Sequence, residues 1–474
     1  MRANMLQLIA TLLLIAAILV IVFFLIFKGG DLSNREFWNI MLGLFLVLLL
    51  ALNLRPHWSI EKKHSKFFEG LLAEIRRPLQ QKLFNNPSVG DVDSAYQAFS
   101  RLIAGSFQGS VTGNNSVEII TDGHRKYELL LQDLENAKES INLEYYHFGA
   151  DEGSRAIRDM LIKKAKEGVK VKFINENVAN FPIGHRYYQS MKRSGVEVIR
   201  FTSVRRLLAD YLSKLNYRNH RKILVIDGKI GYTGGMNIND HYFRQWRDTH
   251  LRIEGDAVAS LQLIFLNSWV ISGGKREEPY PFYFPQAEPV ADGKLIQIIS
   301  DEPGLNFHPI EASYTWALLH AKDYIYIQTP YFVPSKPVLS ALKAAALSGV
   351  DLRVMIPLKA DTFFMGPANK SFFRECLRCG VKFYLRGGEF MHCKTFVSDD
   401  YISCIGSANV DNRSFTLNYE DNAYIYDRDL ALECKAIFEK DLEQCTQVTL
   451  DDVLSWKWYQ RFPQWLMRQF APLL

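Results

Sequence analysis

Two apolar runs without charge stand near the start of the chain, at Met5–Phe27 and Phe37–Leu54. As a helix with a rise of about 1.5 Å per residue, the first run would extend roughly 34 Å, enough to cross a bilayer. The second run is shorter but follows at once. The pattern predicts a hairpin of two transmembrane helices within residues 1–60.

The charges around the two runs predict their orientation. Between the runs, two basic residues are balanced by two acidic ones, whereas several basic residues follow the second run: Arg55, Lys62, Lys63 and Lys66. Because basic residues are enriched on the cytoplasmic side, the large remainder of the chain should lie in the cytoplasm. A cleaved signal peptide is the alternative, but the first run is long for a signal core and lacks a small-residue cleavage site.

The remainder alternates amphipathic helical segments with short apolar strands, and the alternation occurs twice. "LENAKESINLEYYHF" matches "LLHAKDYIYIQTPYF", and "LIKKAKEGVKVKFI" matches "LKAAALSGVDLRVMI". Each segment has the pattern of a helix followed by a strand. The repetition predicts two α/β repeats at 116–272 and 296–474, with mixed sheets flanked by helices. A membrane-proximal amphipathic linker at 61–115 and a Pro-rich linker at 273–295 complete the expected order.

A polar motif also occurs twice, in "NHRKILVIDGKIGYTGGMN" and "MHCKTFVSDDYISCIGSAN". Five residue types stand at the same offsets in both copies: His220, Lys222, Asp227, Gly234 and Asn237, and His392, Lys394, Asp399, Gly406 and Asn409. Residues two apart on a strand project from one face, so each histidine shares a space with its lysine. A pseudo-twofold pair of repeats would bring both His–Lys edges to one cleft.

Two facing imidazoles can divide the work at a phosphodiester. One attacks phosphorus and forms a phosphohistidine, while the other protonates the leaving alcohol. Lys222 and Lys394 would hold the charged oxygens, and Asn237 and Asn409 would add hydrogen bonds to them. Since the lysines supply the positive charge, we expect no metal and no cofactor.

The carboxylates of the two copies fall into two groups. Asp227 and Asp399 lie seven residues after their histidines, an odd offset that favours a structural role at a turn over catalysis. Asp248 and Glu420 each follow the histidine of their copy by 28 residues, on a later strand. They suit a partner for the second nitrogen of an imidazole. An ordinary cross-strand ion pair is the alternative.

The composition limits the partners. The 474-residue chain is 48% hydrophobic, and its 56 Lys and Arg against 51 Asp and Glu leave a formal net charge of +5. That excess is too weak to indicate nucleic acid by itself and is compatible with an anionic membrane surface. Cys376 and Cys379 form a C-x-x-C pair, but no second pair stands at metal-site spacing, so we expect free thiols.

The H-x-K-x-x-x-x-D motif followed by G-G/S-x-N, present twice, resembles the phospholipase D superfamily. Together with the two N-terminal runs, "EYYHF" and "QTPYFVP", it is similar to the bacterial cardiolipin synthases. The resemblance implies a multi-pass protein of the bacterial inner membrane. It would transfer a phosphatidyl group from one phosphatidylglycerol to the hydroxyl of another and release glycerol.

The resemblance also implies roles for the motif residues. The catalytic residues that the resemblance implies for this chain are His220, Lys222, Asp227, His392, Lys394 and Asp399. His220 is the expected nucleophile and His392 the expected acid and base. Gly235 departs from the pattern, since many copies of the motif have Ser there; the second copy keeps Ser407. A hydrogen bond from that serine would come from one side only.

Several functions share this chemistry. A phospholipase D using water, or a phosphatidylserine synthase using serine, would need the same motifs. A nuclease would be expected to show a basic stripe and has no use for membrane spans, and a non-catalytic scaffold would not need buried His and Lys. We expect phosphatidylglycerol and other anionic phospholipids as partners, and no nucleic acid; no oligomeric state is predicted. The C-terminal "WKWYQRFPQWLMRQF" suits either an interfacial segment or packing on the globular domain.

Overall fold

The computed structural model describes residues 88–105, 109–201, 217–275 and 280–471. These residues belong to one compact unit that spans Glu69–Leu474. Within the described ranges, no helix combines the length and the apolar character needed to cross a membrane. The expected hairpin at 1–60 and most of the linker at 61–115 lie outside the described residues.

Strands and helices alternate along the described chain. The strands are β1 (Val111–Thr112), β2 (Asn115–Ile120), β3 (Ser140–Tyr145), β4 (Lys170–Asn175), β5 (Glu197–Arg200), β6 (Arg218–Asn219), β7 (Lys222–Ile226), β8 (Ile230–Gly234), β9 (Trp246–Arg247), β10 (His250–Gly255), β11 (Leu295–Asp301), β12 (Tyr324–Gln328), β13 (Phe332–Val333), β14 (Asp351–Pro357), β15 (Lys382–Arg386), β16 (Phe390–Met391), β17 (Thr395–Ser398), β18 (Ile402–Gly406), β19 (Val410–Asp411), β20 (Asn418–Tyr426) and β21 (Cys445–Val448). The helices are α1 (Gln97–Gly105), α2 (Gly123–Asn136), α3 (Glu152–Lys166), α4 (His185–Arg193), α5 (Asp240–Arg244), α6 (Val258–Ile271), α7 (Pro309–His320), α8 (Lys336–Leu347), α9 (Met365–Lys370), α10 (Phe373–Leu377), α11 (Asn412–Thr416), α12 (Arg428–Leu442), α13 (Leu450–Ser455) and α14 (Trp458–Gln469).

The two large sheets have the same strand order, as the repeated sequence requires. The first is β2-β10-β8-β7-β3-β4-β5, and the second contains β11-β20-β18-β17-β12-β14-β15, extended by β1 and β21. In the order just given from β2 to β5 and from β11 to β15, the first four strand pairs of each sheet are antiparallel. The last two pairs in that order are parallel in both sheets. The expectation of two α/β repeats with mixed sheets is confirmed.

Glycine sets the helix-to-strand turns in both repeats. Gly168, Gly195, Gly349 and Gly380 follow α3, α4, α8 and α10 with φ between 95° and 98°. That left-handed conformation is strained for a residue with a Cβ. The next strand begins two residues after each glycine, so the local sequence fixes where the parallel strands start.

The two repeats share a hydrophobic core. One cluster joins both sheets to α6: Ile223, Val225, Leu251 and Ile253 of the first sheet, Leu261 and Ile264 of α6, and Ile296, Ile298, Ile405, Ala423 and Ile425 of the second sheet. Burial of these side chains away from water stabilises the pair of repeats as one body.

The end of the linker before the first repeat packs on the second repeat. Strand β1 pairs with β11, and the ring of Phe99 lies 4.9 Å from that of Trp316 and 5.3 Å from that of Tyr424. Phe99 and Ile103 of α1 are buried. The apolar face of this amphipathic segment is therefore covered by protein.

Candidate active site

Two pairs of short strands, exchanged between the repeats, place the two motif histidines. Strand β6 runs parallel to the start of β20, and the backbone N–H of His220 donates to the carbonyl oxygen of Tyr419 at 2.9 Å. Strand β16 runs parallel to β9, and the N–H of His392 donates to the carbonyl oxygen of Arg247 at 2.8 Å. Each histidine segment is thus fixed to the other repeat.

The carboxylates that orient the imidazoles come from the opposite repeat. His220 Nδ1 lies 2.9 Å from Oε2 of Glu420, and His392 Nδ1 lies 2.8 Å from Oδ2 of Asp248. All four side chains are buried. The sequence predicted carboxylate partners at these two positions; the structure brings them to the histidines by exchange between the copies. Neither repeat could build this site alone.

The hydrogen bonds assign the proton on each ring. An ionised carboxylate only accepts, so Nδ1 carries the hydrogen and Nε2 keeps a lone pair. Burial is the main cause that lowers the pKa of His220 to about 4 and that of His392 to about 3. Burial alone would raise the pKa of Glu420 and of Asp248, but the neighbouring histidines and lysines lower both below their usual values. The site at rest holds neutral imidazoles and charged carboxylates.

Both lysines lie beside the histidines, as the two-residue spacing predicted. Lys222 Nζ donates to the carbonyl oxygen of His220 at 2.5 Å. Lys394 Nζ donates to the carbonyl oxygen of His392 and lies beside the ring of the same residue, 2.7 Å from Nδ1 and 3.1 Å from Nε2. Burial lowers the pKa of Lys222 to about 7 and also lowers that of Lys394. A bound anion would favour the charged form of both.

The departure of Gly235 from the motif has a steric reason. In the second repeat, Ser407 Oγ donates to Oε2 of Glu420 at 2.5 Å. A Cβ at Gly235 would lie 2.1 Å from Oδ1 of Asp248, too close for any side chain. The shorter aspartate thus occupies the space that a serine would need. The serine bond comes from one side only, as expected.

The two asparagines differ in their surroundings. Oδ1 of Asn237 accepts from the N–H of His147 at 3.1 Å, and its Nδ2 donates to the hydroxyl of Tyr242 at 2.9 Å. Asn409 is buried, and its Oδ1 has no hydrogen-bond partner among the described residues. The amide of Asn237 therefore joins the backbone of His147 to the side chain of Tyr242. Hydrogen bonds from the asparagines to phosphate oxygens stay a prediction.

Asp227 and Asp399 require a correction to the catalytic set. Each has a left-handed φ, 53° and 51°, at the turn after β7 or β17. Each carboxylate accepts from three consecutive backbone N–H groups: Lys138, Glu139 and Ser140 for Asp227, and Lys322, Asp323 and Tyr324 for Asp399. Asp227 stands five residues beyond Lys222, roughly 16 Å along the strand. These contacts favour a structural role at the turn for both aspartates, the role that the odd offset predicted.

Aromatic rings surround the histidines unequally, which the motif comparison did not reveal. The ring of Tyr146 lies 4.8 Å from that of His220. Four rings lie within 6.5 Å of that of His392: Tyr242 at 5.4 Å, Trp246 at 5.5 Å, Phe390 at 6.1 Å and Tyr331 at 6.5 Å. Trp246 and Phe390 stand two residues before Asp248 and His392 in sequence, a signal that could have identified them.

Lys126 is a further residue that the sequence analysis missed. It is wholly buried on α2, and its Nζ donates to the carbonyl oxygen of Met236 at 2.7 Å. Burial holds the pKa of Lys126 well below its usual value. This hydrogen bond therefore anchors the loop between Gly234 and Asn237 to helix α2. Across the described ranges, no group of three or more His, Cys, Asp or Glu side chains is arranged to hold a metal ion.

Comparisons with known proteins identify the family of this chain. A family model described as "Cardiolipin synthase, PLD-like domain" matches residues 130–269 and 315–442. The major cardiolipin synthase ClsA of Bacillus subtilis (strain 168) is 35% identical over 448 residues, which cover 92% of this chain and 91% of that protein. Cardiolipin synthase 1 of Staphylococcus epidermidis (strain ATCC 12228 / FDA PCI 1200) is 39% identical over 370 residues, 77% of this chain and 75% of that protein.

Among solved structures, the phosphatidylserine synthase of Haemophilus influenzae Rd KW20 matches with a TM-score of 0.59. The match covers 80% of this chain and 97% of that chain at 14% identity, so it shows the fold alone. The family model covers more than half of the chain in two separate segments, one in each repeat. This chain therefore belongs to the cardiolipin synthase family of proteins with phospholipase D-like domains.

Proposed function

We propose that this chain is a phosphatidyltransferase that makes cardiolipin and glycerol from two molecules of phosphatidylglycerol. The observation that carries the proposal is the exchanged pair of His–carboxylate contacts, His220 with Glu420 and His392 with Asp248, beside two buried lysines. Such a pair supplies one nucleophile and one proton donor on the two sides of a phosphodiester. Membership in the cardiolipin synthase family supports this reaction over the others that share its chemistry.

The first step forms a phosphatidyl-histidine. Nε2 of His220 attacks phosphorus, and the bond from phosphorus to the glycerol oxygen breaks. The bound phosphodiester, being an anion, favours uptake of a proton from solvent by His392, and the charged ring then donates that proton to the leaving glycerol. Lys222 and Lys394 stabilise the negative oxygens at phosphorus. Glu420 and Asp248 stabilise the positive charge that each ring carries in turn.

The second step reverses the roles of proton donor and acceptor. His392, now neutral, takes the proton from a hydroxyl of the second phosphatidylglycerol, and that oxygen attacks phosphorus. The bond from phosphorus to Nε2 of His220 breaks, and cardiolipin leaves. His392 regains in this step the proton that it gave to glycerol, and the bond from phosphorus to Nε2 is broken, so the substrate-bound site returns to its first state with no net change of charge.

The assignment of His220 as nucleophile has its own test. Phosphatidyl-p-nitrophenol has a leaving group that needs no proton, so it bypasses the acid. The variant His392→Ala should release a burst of one p-nitrophenol per enzyme, whereas His220→Ala should release none. The opposite result would exchange the two roles.

The membrane arrangement of the chain belongs to the proposal as well. Residues 1–60 would form a hairpin of two helices in the inner membrane, with residues 61–115 leading to repeats at 116–272 and 296–474 on the cytoplasmic side. The apolar runs and the basic residues after them support this arrangement. In the described chain, β2 begins at Asn115 and α6 ends at Ile271, which supports the bounds of the first repeat.

Product analysis tests the reaction. The purified full chain is added to phosphatidylglycerol vesicles, and lipids and water-soluble products are identified by mass. Cardiolipin and glycerol in equal amounts are expected. Phosphatidic acid as the main product would indicate a phospholipase D, and phosphatidylserine formed with added serine would indicate a phosphatidylserine synthase. No product would refute enzymatic activity.

A further inference from the structure

Two loops at equivalent positions of the repeats carry exposed apolar side chains. The first loop, residues 176–184, follows β4, and the second loop, residues 358–364, follows β14. Phe181 is 78% exposed and Phe363 is 97% exposed. Val178, Leu358 and Phe364 beside them are exposed too. Exposed aromatic side chains at equivalent positions of both repeats indicate a surface that binds an apolar partner.

Each loop is tied to a residue that contacts a catalytic histidine. Oδ1 of Asn180 accepts from the N–H of Phe148, and its Nδ2 donates to the carbonyl oxygen of Tyr146, both at 2.9 Å. The ring of Tyr146 lies against that of His220. Phe181 is the next residue after Asn180, so this aromatic tip stands at the rim of the cleft.

The second loop is tied in the same way. The hydroxyl of Tyr331 donates to Oδ2 of Asp361 at 2.6 Å, and the ring of Tyr331 lies 6.5 Å from that of His392. Phe363 is two residues beyond Asp361. Each apolar tip is therefore linked through one tyrosine to a different histidine of the site.

Both tips are held by local structure. Oε2 of Glu176 accepts from the N–H of Ala179 at 2.7 Å, and residues Phe181–Ile183 form a 3₁₀ turn. The second loop runs directly into α9, whose first residue, Met365, is buried. Phe181 and Phe363 are therefore exposed on segments whose neighbouring residues are held by hydrogen bonds or by burial.

Helix α14 adds a third apolar surface next to the second loop. Trp458, Phe462 and Trp465 stand at positions i, i+4 and i+7 and are all exposed. Arg468, three residues after Trp465, ties the helix to the protein: its guanidinium lies 3.6 Å from the ring centroid of Phe372 and 2.5 Å from Oε1 of Glu375. A helix with an aromatic outer stripe is typical of a membrane interface.

We propose that these three elements dock the mouth of the cleft onto the phospholipid bilayer, with Phe181 and Phe363 inserted among the acyl chains. This proposal rests on the proposed function. Its substrates have two acyl chains that stay in the bilayer, yet the reacting phosphorus must reach buried imidazoles. Docking the rim on the bilayer lets a head group enter the cleft while the chains remain in lipid.

Charge beside the tips suits an anionic surface. Arg186 is exposed just after the first loop, and Lys359 is exposed within the second. The one carboxylate in the second loop, Asp361, already accepts from Tyr331. Cations next to apolar tips favour a bilayer rich in phosphatidylglycerol over a neutral one.

Depth of insertion is the direct test. The full chain, reconstituted in phosphatidylglycerol vesicles, carries an environment-sensitive fluorophore on Phe181→Cys or Phe363→Cys, and brominated acyl chains serve as quencher. Leu347→Cys is the matched control: Leu347 is an apolar residue, 70% exposed, that precedes β14, whereas the second loop follows this strand. The unsubstituted chain, treated with the same fluorophore, gives the background signal from labelling of the native cysteines.

We expect quenching at positions 181 and 363 and none at 347. Absence of quenching at 181 and 363, or equal quenching at 347, overturns the proposal. Contact of these tips with a second copy of the chain would give the first of those results.

Activity on two forms of substrate supplies the second test. Phe181→Ser and Phe363→Ser should each lower cardiolipin formation from vesicles about tenfold. With a short-chain phosphatidylglycerol that is dissolved as monomers, the change should be less than about twofold, as for other exposed positions. Leu347→Ser should match the wild type on both substrates.

The outcomes separate this proposal from the proposed function. Equal losses on vesicles and monomers, or no loss on either, would refute docking by the two loops. A wild-type chain that forms no cardiolipin from either substrate would refute the proposed function, whatever the fluorescence shows.

Discussion

Replacing Glu420 by Gln tests the exchanged pairing with the smallest change of shape. Oε2 of Glu420 accepts from His220 Nδ1 at 2.9 Å and from Ser407 Oγ, and its Oε1 accepts from Asn418 Nδ2 at 3.0 Å. A glutamine amide can keep its oxygen towards His220 only if Asn418 turns its own amide. In either arrangement the negative charge beside the imidazole is lost.

The size of the effect follows from that lost charge. A hydrogen bond to a charged group contributes about 1.5–3 kcal/mol, which corresponds to roughly 10- to 150-fold in rate if it acts only while the ring is positive. An amide N–H turned towards Nδ1 would also move the ring proton to Nε2 and remove the nucleophilic lone pair. We therefore expect kcat to fall about a hundredfold in Glu420→Gln.

The burst of p-nitrophenol from phosphatidyl-p-nitrophenol identifies which histidine the carboxylate serves. If His220 is the nucleophile, Glu420→Gln should slow the burst. Asp248→Asn should leave the rate of the burst unchanged but slow the turnover of phosphatidylglycerol. The thermal midpoint should stay within about 2 °C of the wild type in both variants, because the substitutions are isosteric. This control separates loss of chemistry from loss of fold.

Two results would refute the reasoning. A kcat within about threefold of the wild type for Glu420→Gln would show that the carboxylate does not support the ring charge. If His220→Ala abolishes the burst but Asp248→Asn, and not Glu420→Gln, slows it, then each carboxylate serves the histidine of its own repeat and the exchanged pairing is wrong.

Four further predictions follow from the geometry. Asp227→Ala removes the acceptor of three backbone N–H groups, so the free energy of unfolding should fall by about 1–3 kcal/mol and the thermal midpoint with it; Asp399→Ala should behave alike, and unchanged midpoints with lost turnover would return both residues to the catalytic set. Activity should survive treatment with a chelator because Lys222 and Lys394 supply the positive charge, and loss restored only by one added divalent ion would contradict this. The pKa of His220 is about 4 in the folded chain against 6.5 as its ordinary value, so the unfolded chain binds more protons between these values; stability measured by urea denaturation should fall as pH drops from 6.5 to 4, less steeply in His220→Gln. Lys126→Met should keep or raise the thermal midpoint, since a buried cation is replaced by an apolar chain, but should lower kcat as the loop at Met236 loses its anchor; unchanged kcat would show that the anchor is dispensable.

Much of the local geometry could be predicted from the sequence. The side chains of His220 and Lys222 lie together because a two-residue offset on an extended chain puts them on one face, and this depends on no other part of the molecule. The same parity placed Asp227 on a turn, where it now accepts three backbone N–H groups. Repeated helix and strand patterns likewise predicted two equivalent sheets, since hydrophobic periodicity is a property of short segments.

The active site itself was decided by tertiary structure. The equal spacing from His220 to Asp248 and from His392 to Glu420 marked the carboxylates, but their exchange between repeats depends on how two sheets pack around the core that they share. Burial of Lys126 and the asymmetric rings around His392 have the same origin. Side-chain direction follows from local dihedral angles, whereas the partner of a side chain depends on which distant segments the folded core brings together.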